Sequence, residues 1–398
     1  MKIGLLPRLI IAIILGIVAG LLLPQWWIQL FATFSGMLGN FLSFIVPLII
    51  IAFIAPGIGE LGKGAGKLVG LTTTLAYASS VFAGLLAFAT GNYLFPKILE
   101  GGSMNGNFEN PEEFLQSPLF QVDMPPVMGV MTALILSFIL GLGLAAVQGD
   151  TLQRGLEDFR AIIEKVIQYV IIPLLPVHIF GVFANMTYGG QVATIMATFI
   201  KVFALIIVLH LVMLTLQYSA AAFASKRNVI SLLKTMVPAY FTALGTQSST
   251  STIPVTLDQT KKNKVRDKVA EFVVPLCANI HLSGSTITIV SCAMAVMFVN
   301  GMAMEPTTII QFILALGLTM IAAPGVPGGA VIAALGLLQS ILGFSETMTT
   351  LMIALYLAQD SFGTATNVTG DGAISVLVDA IFGEKMETEA EQQEHVSA

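Results

Sequence analysis

Charge is scarce in this sequence. Only 10% of its 398 residues are Asp, Glu, Lys or Arg, against 56% hydrophobic, and the mean hydropathy is +0.87. A soluble domain of this size cannot keep that much apolar surface from water, so a soluble enzyme or binding module is excluded. Ten-residue alternation of apolar and polar positions is lacking, which excludes a transmembrane β-barrel; the apolar runs of about 20 residues instead predict membrane-spanning helices. Cysteine is nearly absent: Cys277 and Cys292 both fall in apolar helical stretches, so a disulfide framework is excluded and core packing is expected. The net charge of −5 says little, because the placement of charge matters more than its sum.

What charge there is marks topology. Sixteen of the 18 basic residues fall in clusters: Lys2 and Arg8; Lys63 and Lys67; Arg154, Arg160 and Lys165; Lys226, Arg227 and Lys234; Lys261, Lys262, Lys264, Arg266 and Lys268; and Lys385. The positive-inside rule places them in the cytoplasm. Residues 100–124 carry five acidic groups and no basic one, as an outside loop would; only Lys97 and Lys201 break the pattern. The N-terminal apolar run is too long for a signal peptide and is read as an uncleaved first span. The acidic residues 385–398 read as a mobile cytoplasmic tail.

Two segments cannot cross the bilayer once. Residues 235–260 have basic clusters on both sides, yet at about 1.5 Å per residue they are too short to cross twice. A re-entrant hairpin with its tip at "GTQSSTST" follows. Residues 306–344 have flanks free of Lys and Arg and a centre, "AAPGVPGGA", that no continuous helix tolerates; a second hairpin entering from outside is predicted. Paired, oppositely oriented broken hairpins point to a transporter's midplane binding site. The alternative for each break is a loop between ordinary short helices.

The last apolar stretch contains Asp360, Thr364, Asn367 and Asp371, spaced i, i+4, i+7, i+11, which lie within roughly 60° of one another over about 16 Å of helix. No Lys or Arg shares this helix. An ionised carboxylate in a dry interior requires a positive partner. One carboxylate is therefore expected to meet a substrate ammonium and the other a metal ion or proton; the alternative is a protonated acid bonded to a neighbouring helix. In "NIHLSGS", Asn279, His281, Ser283 and Ser285 suggest an unwound segment, with His281 either charged or a neutral group bonded across helices. His178 and His210 read as packing groups. Asp360 and Asp371 stand three turns apart on one helix, which argues against an aspartyl protease.

At "TQSSTSTIPVT", "GVPGGA" and "QDSFGTATNVTGD" the chain resembles the dicarboxylate/amino acid:cation symporters, in the order of eight spans and two hairpins. The "AQDS" start of the last helix looks most like the sodium/serine–threonine branch. The resemblance implies an all-α membrane protein built as inverted repeats, a homotrimer in the bacterial inner membrane with both termini cytoplasmic, and no enzymatic activity, nucleic acid partner or cofactor. It also implies an elevator. Residues 1–67 (spans one and two) and 100–190 (the outside loop with spans four and five) would form a fixed scaffold. Span three (68–99) and residues 191–384 would form the moving part, with hairpins at 231–260 and 306–344.

The resemblance further implies a substrate site of Ser248, Ser249, Thr250, Ser285, Val326, Pro327, Gly328, Ala330, Asp360, Gly363, Thr364 and Asn367, with Asp360 on the amino group and Asn367 on the α-carboxylate. Cations would be held by Cys277, Asn279, His281, Ile321, Ala323, Asn367 and Asp371, with sodium at Asp371. Two departures qualify it. Acidic amino acid transporters carry an arginine where this chain has Gly363, and the first tip offers Gln247, so small neutral substrates such as serine, threonine or alanine are expected rather than glutamate or aspartate. Where sodium-coupled members read Asn–Met–Asp–Gly, this chain reads His281–Leu282–Ser283–Gly284, which leaves sodium and protons both open as coupling ion. An anion channel on the same fold is the reading from another class.

Overall fold

The fold is described from a computed structural model, over residues 5–63, 67–99, 115–147, 150–190, 192–321, 323 and 327–397. Among the described residues every regular element is a helix: α1 Leu5–Leu22, α2 Gln25–Lys63, α3 Lys67–Ile98, α4 Val130–Ala146, α5 Thr151–Val166, α6 Ile172–Tyr188, α7 Val192–Ser225, α8 Val229–Thr246, α9 Ser249–Lys262, α10 Asp267–Ile280, α11 Ser283–Val299, α12 Pro306–Met320, α13 Gly329–Ser340 and α14 Glu346–Ser397. A π-helical turn, Ile167–Ile171, joins α5 to α6. Pro173 has no N–H to return to the preceding turn, and the wider π spacing absorbs that loss without breaking the helix.

Six stretches among the described residues are long and apolar enough to cross a membrane. Ile135, Ile139 and Leu142 of α4 and Ile200, Val208 and Leu211 of α7 form exposed apolar faces, each residue more than half exposed. In water such faces would be untenable; against lipid chains they are the expected surface. The chain is a multi-pass membrane protein. By composition α14 is not among the six. It is buried on nearly every side from residue 348 to residue 379, so protein rather than lipid surrounds its polar groups.

The helices pack in two groups. In one, α1 lies on α6, and α2 on α4, α5 and α6. In the other, α14 is the centre, with α3, α7, α8, α9, α10 and α11 against it, while α12 packs on α3 and on α13. Contacts of α13 with α2 and α4, and of α14 with α1 and α6, join the groups.

The chain turns sharply at three breaks. α8 ends at Gln247 in the left-handed region (φ 53°), Ser248 is extended, and its Oγ accepts the N–H of Ser251 to start α9. α10 gives way to extended backbone at His281 before α11 begins. α13 starts behind Gly328 (φ 77°), where a Cβ would also stand 2.6 Å from Leu357 Cδ2, so only glycine fits. The acidic residues 385–397, expected as a tail, are helical and continue α14. Their Glu, Gln, Ala, Lys and Met are good helix formers, and no Pro or Gly follows Gly383 to stop the helix.

Candidate functional site

The polar stripe of α14 is buried. Asp360, Thr364, Asn367 and Asp371 are each no more than 6% exposed. Glycines bring the neighbouring backbone close: a Cβ on Gly284 would lie 2.5 Å from the Gly363 carbonyl, so α11 and α14 touch main chain to main chain.

Asp360 faces the second break. The Gly328 N–H donates to its Oδ2 at 2.8 Å, and Thr364 Oγ1 lies 3.5 Å from Oδ1. One turn earlier, Tyr356 donates its hydroxyl to Ser285 Oγ at 2.9 Å. Asn367 joins the same serine, donating from Nδ2 at 2.9 Å. Its Oδ1 accepts two backbone N–H groups, from Gly284 at 2.7 Å and Ser285 at 3.2 Å. Leu282, the residue before α11, offers no side-chain cap, so Asn367 supplies the cap from another helix. His210 supports the same turn, donating from Nε2 to the Gly284 carbonyl at 3.0 Å.

Around these groups lies a cavity of about 30 Å³, lined by Gln247, Ser249, Ala278, Asn279, Leu282, Ser285, Ala323, Ala330, Tyr356, Asp360, Thr364 and Asn367. Two small waters would fill it; an amino acid needs the second tip to withdraw. Among the described residues, no Lys or Arg is in its lining. The roomier cavity, about 300 Å³, lies elsewhere, between α2, α6 and the first turn of α14, with Ser35, His178, Asn185 and Glu346 in its wall. Volume does not identify the site here. The smaller cavity holds a buried carboxylate beside two helix breaks, and the larger one fills the seam between the two packing groups.

Most of the substrate residues expected from sequence converge. Ser249, Ser285, Ala330, Asp360, Thr364 and Asn367 line the small cavity, and Gly328 contacts Asp360. Gly363 faces Ser285 and Thr288 of α11 rather than the cavity. Pro327 is half-buried beside Gly328. Ser248 caps α9 from outside the lining, and Thr250 is exposed, because the helix resumes at Ser249 and turns the next side chain about 100° away. Thr250 therefore lies outside the lining of this cavity. Val326 lies outside the described residues. Tyr356 was not anticipated: a lone tyrosine in an apolar helix carries no signal beyond its place four residues before Asp360.

The expected cation residues separate into two places. Asp371 Oδ1 lies 2.9 Å from His281 Nδ1, and both side chains are essentially inaccessible. His281 Nε2 lies 3.0 Å from Ser79 Oγ of α3 and 3.2 Å from Gln217 Nε2 of α7. The Gln217 nitrogen also meets Ser79 Oγ at 2.9 Å and Ser283 Oγ at 3.1 Å, while its oxygen has no partner. The two amide hydrogens suffice for the two hydroxyls, and Ser79 Oγ, within reach of both groups, can donate to His281 Nε2. The Nδ1 hydrogen then points at Asp371 Oδ1. Cys277 gives its carbonyl to the His281 N–H, and Tyr218, also near Asp371, donates to the Thr369 carbonyl at 2.7 Å. Asn279 and Ala323 belong instead to the small cavity, and Ile321 ends α12.

Residues 5–381 match the model of the sodium:dicarboxylate symporter family. The serine/threonine transporter SstT of Enterococcus faecalis is 25% identical over 393 residues, covering 93% of this chain and 90% of the relative. The serine/threonine transporter SstT of Acinetobacter baumannii (strain AYE) is 25% identical over 391 residues, covering 95% of this chain and 97% of the relative.

Proposed function

The chain belongs to the sodium:dicarboxylate symporter family, and on that premise we propose that it imports a small neutral amino acid, of the size of serine, threonine or alanine, together with sodium. The observation that carries this reading is Asp360: a carboxylate 5% exposed, facing a cavity of hydroxyls and amides without a basic side chain. An α-ammonium supplies the charge that the carboxylate lacks. The present partner, the Gly328 N–H, is what the ammonium displaces, so substrate entry and movement of the second tip are one event. The Asn367 Nδ2 has a second hydrogen, free for the α-carboxylate, and Ser285 and Ser249 suit a substrate hydroxyl.

A second substrate carboxylate would find no cation there. Leaving it unpaired costs several kcal/mol, about a thousandfold in affinity, which argues against glutamate and aspartate despite the family's description. The names of the two relatives support the same choice.

Sodium would be held where helix ends leave carbonyls without partners, at the end of α12 near Ile321 and Ala323 and at the end of α10 near Asn279. The pair α8–α9 and the pair α12–α13 would be the re-entrant hairpins. The group around α14, with α3, would move as an elevator against α1, α2 and α4 to α6, which also hold a trimer in the bacterial inner membrane with both termini in the cytoplasm. Packing of the helices in two groups with few joining contacts supports that division. An anion channel leaves a site for an ammonium unexplained.

The test is uptake of labelled serine into proteoliposomes under sodium and proton gradients imposed separately. Accumulation above the outside concentration supports symport; equilibration without accumulation contradicts it.

A further inference from the structure

We infer that His281 takes the place of a bound cation at Asp371, and that sodium is not carried at that carboxylate. This rests on the symport reading above and narrows where its ion can sit.

Two side-chain oxygens that a sodium ion at Asp371 would use are already turned to N–H groups. Asp371 Oδ1 receives His281 Nδ1 at 2.9 Å, and Asn367 Oδ1 receives the Gly284 and Ser285 N–H groups at 2.7 and 3.2 Å. Hard cations take oxygen ligands. A sodium ion placed between these oxygens would face hydrogens, which carry its own sign of charge. The imidazole is not a loose occupant either. Ser79 of α3 and Gln217 of α7 hold its far nitrogen, and Gly370 leaves the space for it, since a Cβ there would lie 2.8 Å from His281 Cε1. Three helices thus fix the ring against a carboxylate that no water reaches. A buried carboxylate without a donor would demand an ion; this one has its donor built in. Asp371 therefore crosses the membrane already compensated, whether sodium is present or absent, and the ion carried with substrate binds at the helix ends near Ile321 and Ala323.

A sodium titration of thermal unfolding tests this on the purified, detergent-solubilised protein, with choline replacing sodium at constant ionic strength and pH and with no amino acid added. Wild-type protein and Asp371→Asn are expected to show the same sodium-induced shift in Tm, zero included. His281→Asn, which removes the imidazole, is expected to gain an additional sodium-dependent shift, lost again in the double variant H281N/D371N. A wild-type shift that Asp371→Asn abolishes would overturn the inference, as would a His281→Asn protein whose sodium response equals that of wild type. If either single variant fails to fold, the other decides against wild type. Serine takes no part in this readout, so an error in the substrate reading shows separately, as absence of serine binding by calorimetry.

Discussion

Asn367 of α14 accepts the backbone N–H of Gly284 at 2.7 Å, so the helix that carries the polar stripe also caps the helix that starts beside it. Substrate chemistry and the fold of the site therefore share one side chain. Asn367→Ala leaves two buried N–H groups unpaired and is expected to lower stability by about 1–3 kcal/mol. Asn367→Asp keeps the acceptors, loses the donor to Ser285 and buries a further carboxylate, so it should bind serine poorly and its Tm should fall as pH rises, whereas the loss in Asn367→Ala does not depend on pH. Thermal unfolding against pH and serine calorimetry on the two variants separate the roles; a pH-independent loss of equal size in both would remove the cap.

Gly328 is the latch of the second tip. Alanine there must hold φ near 77° and place a methyl 2.6 Å from Leu357 Cδ2. The left-handed conformation alone costs roughly 1–2 kcal/mol. Gly328→Ala is expected to weaken serine binding at least tenfold because the tip, having withdrawn to admit the amino acid, cannot take its left-handed turn again to close over it, whereas Gly329→Ala, on the helix that follows, should do much less. Binding isotherms on both variants check this, and equal effects would argue against the latch.

Aspartate is expected not to compete with serine. In competition binding its affinity should be about a thousandfold weaker, following from the missing cation in the cavity lining. Comparable inhibition by aspartate and alanine would contradict the assignment of a neutral substrate.

Away from the site, Asp379 ties the far end of the buried helix. It is 5% exposed and meets Arg266 Nη1 at 3.2 Å and Arg227 Nη2 at 3.8 Å, and it also accepts the Arg266 backbone N–H at 3.2 Å. Both guanidiniums are about a third exposed, so water screens part of the interaction. Asp379→Ala is expected to cost about 1–3 kcal/mol of stability, read as a lowered Tm with serine affinity unchanged in the folded fraction.

The stripe was legible because helical spacing of polar groups in an apolar run has few structural uses, and Asp360, Thr364, Asn367 and Asp371 do share one buried face. The breaks at Gln247, His281 and Gly328 were legible too, from clustered hydroxyls, glycine and proline. The surroundings of His281 were not. Ser79 and Gln217 sit among other scattered polar residues of α3 and α7 with no spacing that singles them out, and only the packing of those helices beside α14 makes them partners of His281. Likewise the exposure of Thr250 depends on where α9 resumes, a matter of one residue that composition does not decide.

Everything functional turns on what Asp360 holds. The direct measurement is serine binding by calorimetry to wild-type protein and to Asp360→Asn, whose amide oxygen can still accept the Gly328 N–H and so preserves the tip. Loss of the buried charge should weaken binding by a factor of about a hundred to a thousand, with Tm little changed. Serine affinity in Asp360→Asn equal to that of wild type would contradict the assignment of the amino group, and with it the site.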